Sequence, residues 1–210
     1  IILFAKILVR NKHIKKEYLK YALRIAIPLI PHVLASTILG SSDKIMITKI
    51  CGSEKTAFYS LIYTISMLIT MFSSSANRAW VPWFFSKLQE KDYHSIKKTI
   101  AWILPIGSLA SIVLCLLAPE IVLVIGGVKY QEAIYLMPPL VLHSVVNYYN
   151  TLYINIEFYT KKTFGISIAT AFSSLLNVAL NYVFITRFGF QAAAYTTLFS
   201  SILSLIFHLY

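Results

Sequence analysis

Apolar residues form seven long runs along the chain, separated by short polar stretches. Most runs contain about 20 residues, the length of helix that spans the hydrocarbon of a bilayer. The pattern predicts an all-α integral membrane protein, a bundle of six full transmembrane helices plus the end of a preceding one. We expect a single transmembrane domain over residues 1–210. The predicted runs cover about residues 1–9, 24–49, 57–85, 99–118, 133–158, 164–186 and 190–210.

Polar residues recur inside these runs at spacings of three and four, which places them on one face of a helix. Ser, Thr and Asn side chains hold membrane helices together without any role in transport, and this remains one interpretation. Ionisable residues among them are costly to expose to lipid, which favours a water-filled cavity instead. The stripes include His32, Ser36 and Asp43; Tyr59, Tyr63, Thr70 and Asn77; His143, Asn147 and Asn150; Thr170, Asn177 and Asn181; and Thr197 and Ser201.

Two proline pairs fall in the second and fifth runs. Pro28 with Pro31, and Pro138 with Pro139, would each remove helical hydrogen bonds and bend a helix. We therefore expect bent helices at membrane depth, which are typical of transporters.

Basic residues alternate between the loops. Eleven lie in the first, third and fifth loops, against four on the opposite side, so the positive-inside rule places the odd loops and the C-terminus in the cytoplasm. At the end of the fifth run, Glu157 precedes Lys161 and Lys162, for which we expect an ion pair. The eleven residues are Arg10, Lys12, Lys15, Lys16, Lys20, Lys87, Lys91, Lys97, Lys98, Lys161 and Lys162; the four are Lys49, Lys55, Lys129 and Arg187.

Composition supports a membrane protein. Hydrophobic residues make up 58% of the chain, charged residues only 13%, and mean hydropathy is +0.70. The net charge of +11 is assigned to topology and not to a nucleic-acid partner. The two cysteines, Cys51 and Cys115, imply no disulfide framework. The sequence contains no metal-ligand cluster, phosphate-binding loop or catalytic constellation, so we expect no enzyme, metal or cofactor.

Four stretches together resemble the bacterial polysaccharide transporters, the flippases of lipid-linked oligosaccharide in the multidrug/oligosaccharidyl-lipid/polysaccharide superfamily. The first, IPLIPHVLASTILGSSDKIMI, follows a basic segment. The others are AWVPWFFSKLQEKDY, APEIVLVIGGVKYQEA and NVALNYVFITRFGFQAAAYTT. The resemblance implies the C-terminal lobe of a MATE-like (multidrug and toxin extrusion) transporter, with residues 1–9 ending a preceding span and an N-terminal lobe as partner.

The resemblance further implies a multi-pass protein of the bacterial inner membrane. It would carry polyprenyl-pyrophosphate-linked oligosaccharide to the outer leaflet by alternating access, for surface polysaccharide biosynthesis. Its partners would be membrane lipids and a coupling ion, H+ or Na+. Two alternatives stay open: a cation-coupled multidrug exporter of the same superfamily, and a polymerase or ligase acting on lipid-linked glycan.

Ten residues are candidates for the substrate site. Arg78 and Lys44 could offset an anionic headgroup, and Asp43 could bind the coupling ion or pair with Lys44. The remaining candidates could hydrogen-bond sugars or line the cavity. They are His32, Asn77, His143, Asn147, Asn150, Asn177 and Asn181.

Overall fold

The computed structural model describes residues 30–161 and 163–209, together with residues 23, 26 and 27. The described residues form helices joined by short turns, with no strand among them, which confirms the all-α class. The first predicted run, residues 1–9, and most of the first basic loop lie outside the described residues. The elements are α1 (Ile30–Cys51), α2 (Ser53–Gln89), α3 (Tyr93–Leu116), α4 (Ala118–Gly126), a 3-10 helix (Val128–Leu136), α5 (Met137–Tyr159), α6 (Thr163–Phe188) and α7 (Ala192–Leu209).

Three of the described helices are long and apolar enough to cross a membrane, namely α2, α3 and α6. The apolar helix α7 is shorter. The count of six full spans and the lobe architecture stay predictions. In α3, Trp102 and Leu116 are among many exposed apolar side chains, as we expect of a helix that faces lipid.

Turns at the two ends of the bundle reverse the chain between neighbouring helices. Gly52 forms the turn between α1 and α2 with φ of 90°, a conformation that L side chains rarely adopt. Asp92 caps the start of α3, where its side chain accepts a hydrogen bond from the Ser95 amide at 3.1 Å. Following the predicted orientation, we call the end with Gly52 the outer end and the end with Asp92 the inner end.

Two sequence expectations about irregular backbone are wrong. The stretch between the fourth and fifth predicted runs, residues 119–132, is not a simple outer loop, because most of it belongs to α4 and the 3-10 helix. Pro138 and Pro139 do not bend a helix; they lie in the first turn of α5, where proline removes no helical hydrogen bond. Pro31 likewise lies at the start of α1, and Pro28 is outside the described residues. The prolines inside helices are Pro82 in α2 and Pro105 in α3.

Helices α2, α5 and α7 run in the same direction and stay in register. Ser144 Oγ donates to the Ser66 carbonyl, and Asn155 Nδ2 donates to Asn77 Oδ1; each pair is 78 positions apart in the chain. Between α5 and α7, Asn150 Nδ2 donates to the Ser201 carbonyl, and Glu157 contacts His208; both of these pairs are 51 positions apart. Constant separations mean that the three helices advance together along their lengths.

Apolar residues pack at the two ends of the bundle and leave the middle polar. The larger cluster, at the outer end, contains Tyr59, Leu136, Met137 and Ile185, all at most 1% exposed. A smaller cluster at the inner end is built on Trp80, Phe84 and Ile96. Burial of these side chains accounts for the packing of the helix ends, and the polar stripes meet between the two clusters.

Candidate functional site

A closed ring of buried side chains surrounds the carboxylate of Asp43. Asn181 Nδ2 donates to Asp43 Oδ1 at 2.6 Å and to Asn177 Oδ1 at 3.1 Å. Asn177 Nδ2 donates to Thr197 Oγ1 at 3.2 Å, and Thr197 Oγ1 donates to Asp43 Oδ2 at 2.7 Å. We call these four residues the Asp43 ring. Helices α1, α6 and α7 each contribute to it, so it joins residues that are far apart in the sequence.

Two further hydroxyl groups attach to the Asp43 ring. Tyr59 OH, from α2, donates to Asp43 Oδ2 at 2.6 Å, and Thr196 Oγ1 donates to Asn181 Oδ1. Asp43 itself is 2% exposed and Tyr59 is fully buried. Burying an ionised carboxylate is costly unless donors satisfy it, and here three donors reach its two oxygens. The arrangement can therefore hold a negative charge away from water.

Lys44 forms no ion pair with this carboxylate among the described contacts, and its ammonium group lies over an aromatic ring instead. Its Nζ lies 4.7 Å from the centroid of the Tyr63 ring, which stacks on the Tyr59 ring at 5.9 Å. The lysine is thus held by a cation–π contact on the flank of the site.

A polar cavity of about 330 Å³ lies one helical turn from the Asp43 ring, toward the inner end. Ser173, which lines the cavity, lies one turn before Asn177 on α6. Ser201, which also lines it, lies one turn after Thr197 on α7. Five helices line it, and among the described residues its walls contain hydroxyls, amides and one imidazole but no Asp, Glu, Lys or Arg. The lining residues are Ser36, Gly40, Tyr63, Thr70, His143, Asn147, Asn150, Thr151, Ile154, Thr170, Ser173, Ser201 and Ser204.

Three buried atoms on residues of the cavity wall lack a hydrogen-bond partner among the described residues. They are His143 Nδ1, Asn150 Oδ1 and Ser173 Oγ, on residues 7%, 5% and 1% exposed. The Nε2 atom of His143 lies 3.0 Å from Asn147 Nδ2. Unsatisfied buried polar atoms are costly, so the wall is suited to a ligand or water that completes these bonds.

The structure distributes the ten sequence candidates over several places. His143, Asn147 and Asn150 line the cavity, whereas Asn177 and Asn181 belong to the fully buried Asp43 ring. The side chain of His32 is outside the described part.

The remaining candidates on α2 lie nearer the inner end. Asn77 accepts from Asn155 at 2.7 Å and lines a smaller cavity of about 90 Å³ that shares Asn147 with the larger one. Arg78 is exposed and lines neither cavity.

Some contacts were not foreseen from the sequence. Thr196 lies off the predicted stripe, although its neighbour Thr197 lies on it. Glu157 Oε1 contacts His208 Nδ1 at 2.6 Å, across from α5 to α7. We predicted a local ion pair with Lys161 and Lys162, and Lys162 lies outside the described residues. A histidine 51 positions away gave no local signal for this pairing.

Comparison with known proteins gives a family match for the N-terminal part of the chain. Residues 1–89 match the family model described as "Polysaccharide biosynthesis protein", a range that includes Asp43, Tyr59 and Tyr63. No curated protein and no solved structure shows a significant match to the chain. The match supports the family resemblance stated from the sequence over residues 1–89, and it does not extend to the rest of the chain.

Proposed function

We propose that the chain is part of a membrane transporter that moves polyprenyl-pyrophosphate-linked oligosaccharide across the bacterial inner membrane by alternating access. The observation that carries this proposal is the polar cavity of about 330 Å³, whose described lining is uncharged, inside a helix bundle whose residues 1–89 match this family model. Sugars present many hydroxyl groups, and the hydroxyl and amide groups of the wall are complementary to them. The N-terminal lobe of the transporter would face the open side of this cavity.

The charge of the cavity favours this substrate over a cationic drug. An exporter of cations would be served by an acidic wall, and none of the described residues that line the cavity is acidic. In the proposed transporter the sugar part enters the cavity, while the pyrophosphate stays outside it. Arg78, exposed near the inner end of α2, is the candidate that pairs with the pyrophosphate.

The test is export of surface polysaccharide in a bacterial strain that lacks its own exporter. The strain receives this chain together with the proposed N-terminal lobe, and Asn147→Leu removes an amide from the cavity wall. The matched control is Leu142→Phe, on the exposed face of the same helix. We expect export to fail with Asn147→Leu and to persist with Leu142→Phe, at equal membrane levels. Equal export by both variants would refute the cavity as the substrate site.

We further propose that the Asp43 ring binds the coupling ion. An acceptor-only carboxylate is suited to a proton or to Na+, and the amide of Asn181 presents oxygen instead of nitrogen when it rotates. Thermal stability of the purified protein in NaCl and in choline chloride distinguishes the two ions. Stabilisation by Na+ that Asp43→Asn abolishes indicates Na+, whereas export driven by a pH gradient without Na+ indicates H+. If neither occurs, the coupling role fails while substrate binding remains testable.

A further inference from the structure

A second cavity lies toward the inner end of the bundle, on the face of α5 opposite the polar cavity. It has a volume of about 230 Å³, and nearly all of its wall is apolar or aromatic. Its size suits a segment of one hydrocarbon chain and not a whole lipid. The lining residues are Trp80, Phe84, Ile100, Leu104, Tyr149, Leu152, Tyr153, Ile156 and Leu205.

The depth of this cavity corresponds to the inner leaflet. Ile100 and Leu104 lie seven and eleven residues from the start of α3 at Tyr93, hence roughly 10 to 16 Å along the helix. On α5, the lining residue Ile156 lies three residues before the last, Tyr159. If the helix ends lie at the membrane surface, the cavity is in the hydrocarbon just below it.

A lysine on α3 lies closer to the inner end of the bundle than the cavity-lining residues of that helix. Lys97 precedes Ile100 by three residues and Leu104 by seven, so the three share one face of α3. Lys97 and its neighbour Lys98 are exposed, and neither has an ion-pair partner among the described residues. Lys87, by contrast, is occupied by Glu90 at 2.7 Å and Asp92 at 3.3 Å.

The nearby acidic residues form their ion pairs with Lys87 and not with Lys97. The hydroxyl and amide of Ser95 donate to Asp92 and hold the pKa of its carboxyl below the usual value, and Glu90 is engaged by Lys87. The apolar cavity and the lysines above it together match a lipid with a hydrocarbon tail and a negative headgroup.

We propose that this cavity binds one acyl chain of an anionic phospholipid of the inner leaflet, with its phosphate at Lys97. The site is separate from the polar cavity and does not depend on the transported substrate. It would fix the inner end of α3 to α5, because Ile100 and Tyr153 on its two sides would both contact the same chain.

The experiment is native mass spectrometry of the complete chain, released from nanodiscs that contain equal amounts of phosphatidylglycerol and phosphatidylcholine with identical tails. We expect the protein to retain phosphatidylglycerol preferentially. Lys97→Gln should weaken this retention about fivefold, the factor that corresponds to about 1 kcal/mol for each basic residue at an anionic surface. Leu104→Trp, which fills the cavity, should lower retention of both lipids.

The matched control is Lys49→Gln, at the outer end of α1, where the lysine is also exposed. It should leave lipid retention unchanged. Equal retention of the two lipids by the unmodified protein, or equal loss with Lys97→Gln and Lys49→Gln, would overturn the proposal. Circular dichroism of each variant establishes that the helices remain folded, so that reduced retention reports on binding.

Discussion

The carboxylate of Asp43 and the amide of Asn181 are 2.6 Å apart, although 138 positions separate them in the chain. The contact connects α1 to α6, and it lies where neither water nor lipid reaches. A buried carboxylate is stable only where hydrogen-bond donors satisfy its oxygens. Removing one donor therefore destabilises the fold, because the carboxylate stays buried with one bond fewer.

The first prediction concerns the stability of this cluster. Tyr59→Phe removes the hydroxyl that donates to Asp43 Oδ2, so we expect the free energy of unfolding to fall by about 1 to 3 kcal/mol. The control is Thr186→Val, an exposed hydroxyl on α6 that bonds only to its own helix, for which we expect a change within about 0.5 kcal/mol. Denaturation in detergent measures both. Equal stability of the two variants would mean that the Tyr59 bond contributes nothing.

The second prediction concerns water in the polar cavity. After replacement of Cys51 and Cys115, single cysteines at Asn147 and Ser204 should react with small hydrophilic thiol reagents. Cysteines at Asn177 and at the lipid-exposed Leu175 should react far more slowly, the first because it is fully buried. Uniform protection at all four positions would leave only helix packing as the role of the polar stripes.

The third prediction concerns orientation in the membrane. Cysteines placed at Lys91 and Lys161 should be protected from an impermeant reagent in intact cells, while cysteines at Lys55 and Lys129 should be labelled. The reason is the excess of basic residues in the odd loops. The reverse labelling pattern would invert the assignment of outer and inner ends.

The fourth prediction concerns Arg78 as the proposed partner of the substrate pyrophosphate. Arg78→Gln should abolish export and Arg78→Lys should reduce it, because lysine lacks the bidentate donors of the guanidinium group. Lys91→Gln, an exposed cation near the same end, is the control and should export normally.

Full export by Arg78→Gln at normal expression would assign Arg78 to the membrane surface. Lys44, held over the Tyr63 ring, would then be the better candidate for the pyrophosphate.

The sequence predicted which helix faces are polar, but not how those faces divide between two environments. Asn147 and Asn177 both follow the spacing of three and four, yet one lines the cavity and the other is fully buried. Periodicity gives the direction of a side chain around its helix. The burial of that side chain and its hydrogen-bond partner depend on how helices distant in sequence pack together. Local sequence spacing does not contain that information. The same reason explains the unforeseen contact between Glu157 and His208.

The start of α5 is a second point at which the structure differs from the sequence prediction. The sequence predicts that Pro138 and Pro139 bend a helix, because the fifth apolar run begins at about residue 133. The structure begins α5 at Met137, after the 3-10 helix, and both prolines then occupy its first turn. An error of four residues in a helix boundary was enough to change the mechanical role of the pair.

The matched registers of α2, α5 and α7 restrict how the bundle can deform. Sliding α5 along α2 by one residue, about 1.5 Å, would disturb the bonds at Ser66 and at Asn77 together, and the same holds for α7 at Ser201 and His208. Shear between these three helices is therefore opposed at two heights at once. The three helices therefore form one rigid unit. A change of shape that preserves these bonds must tilt α2, α5 and α7 together, or move α1, α3 and α6 relative to them.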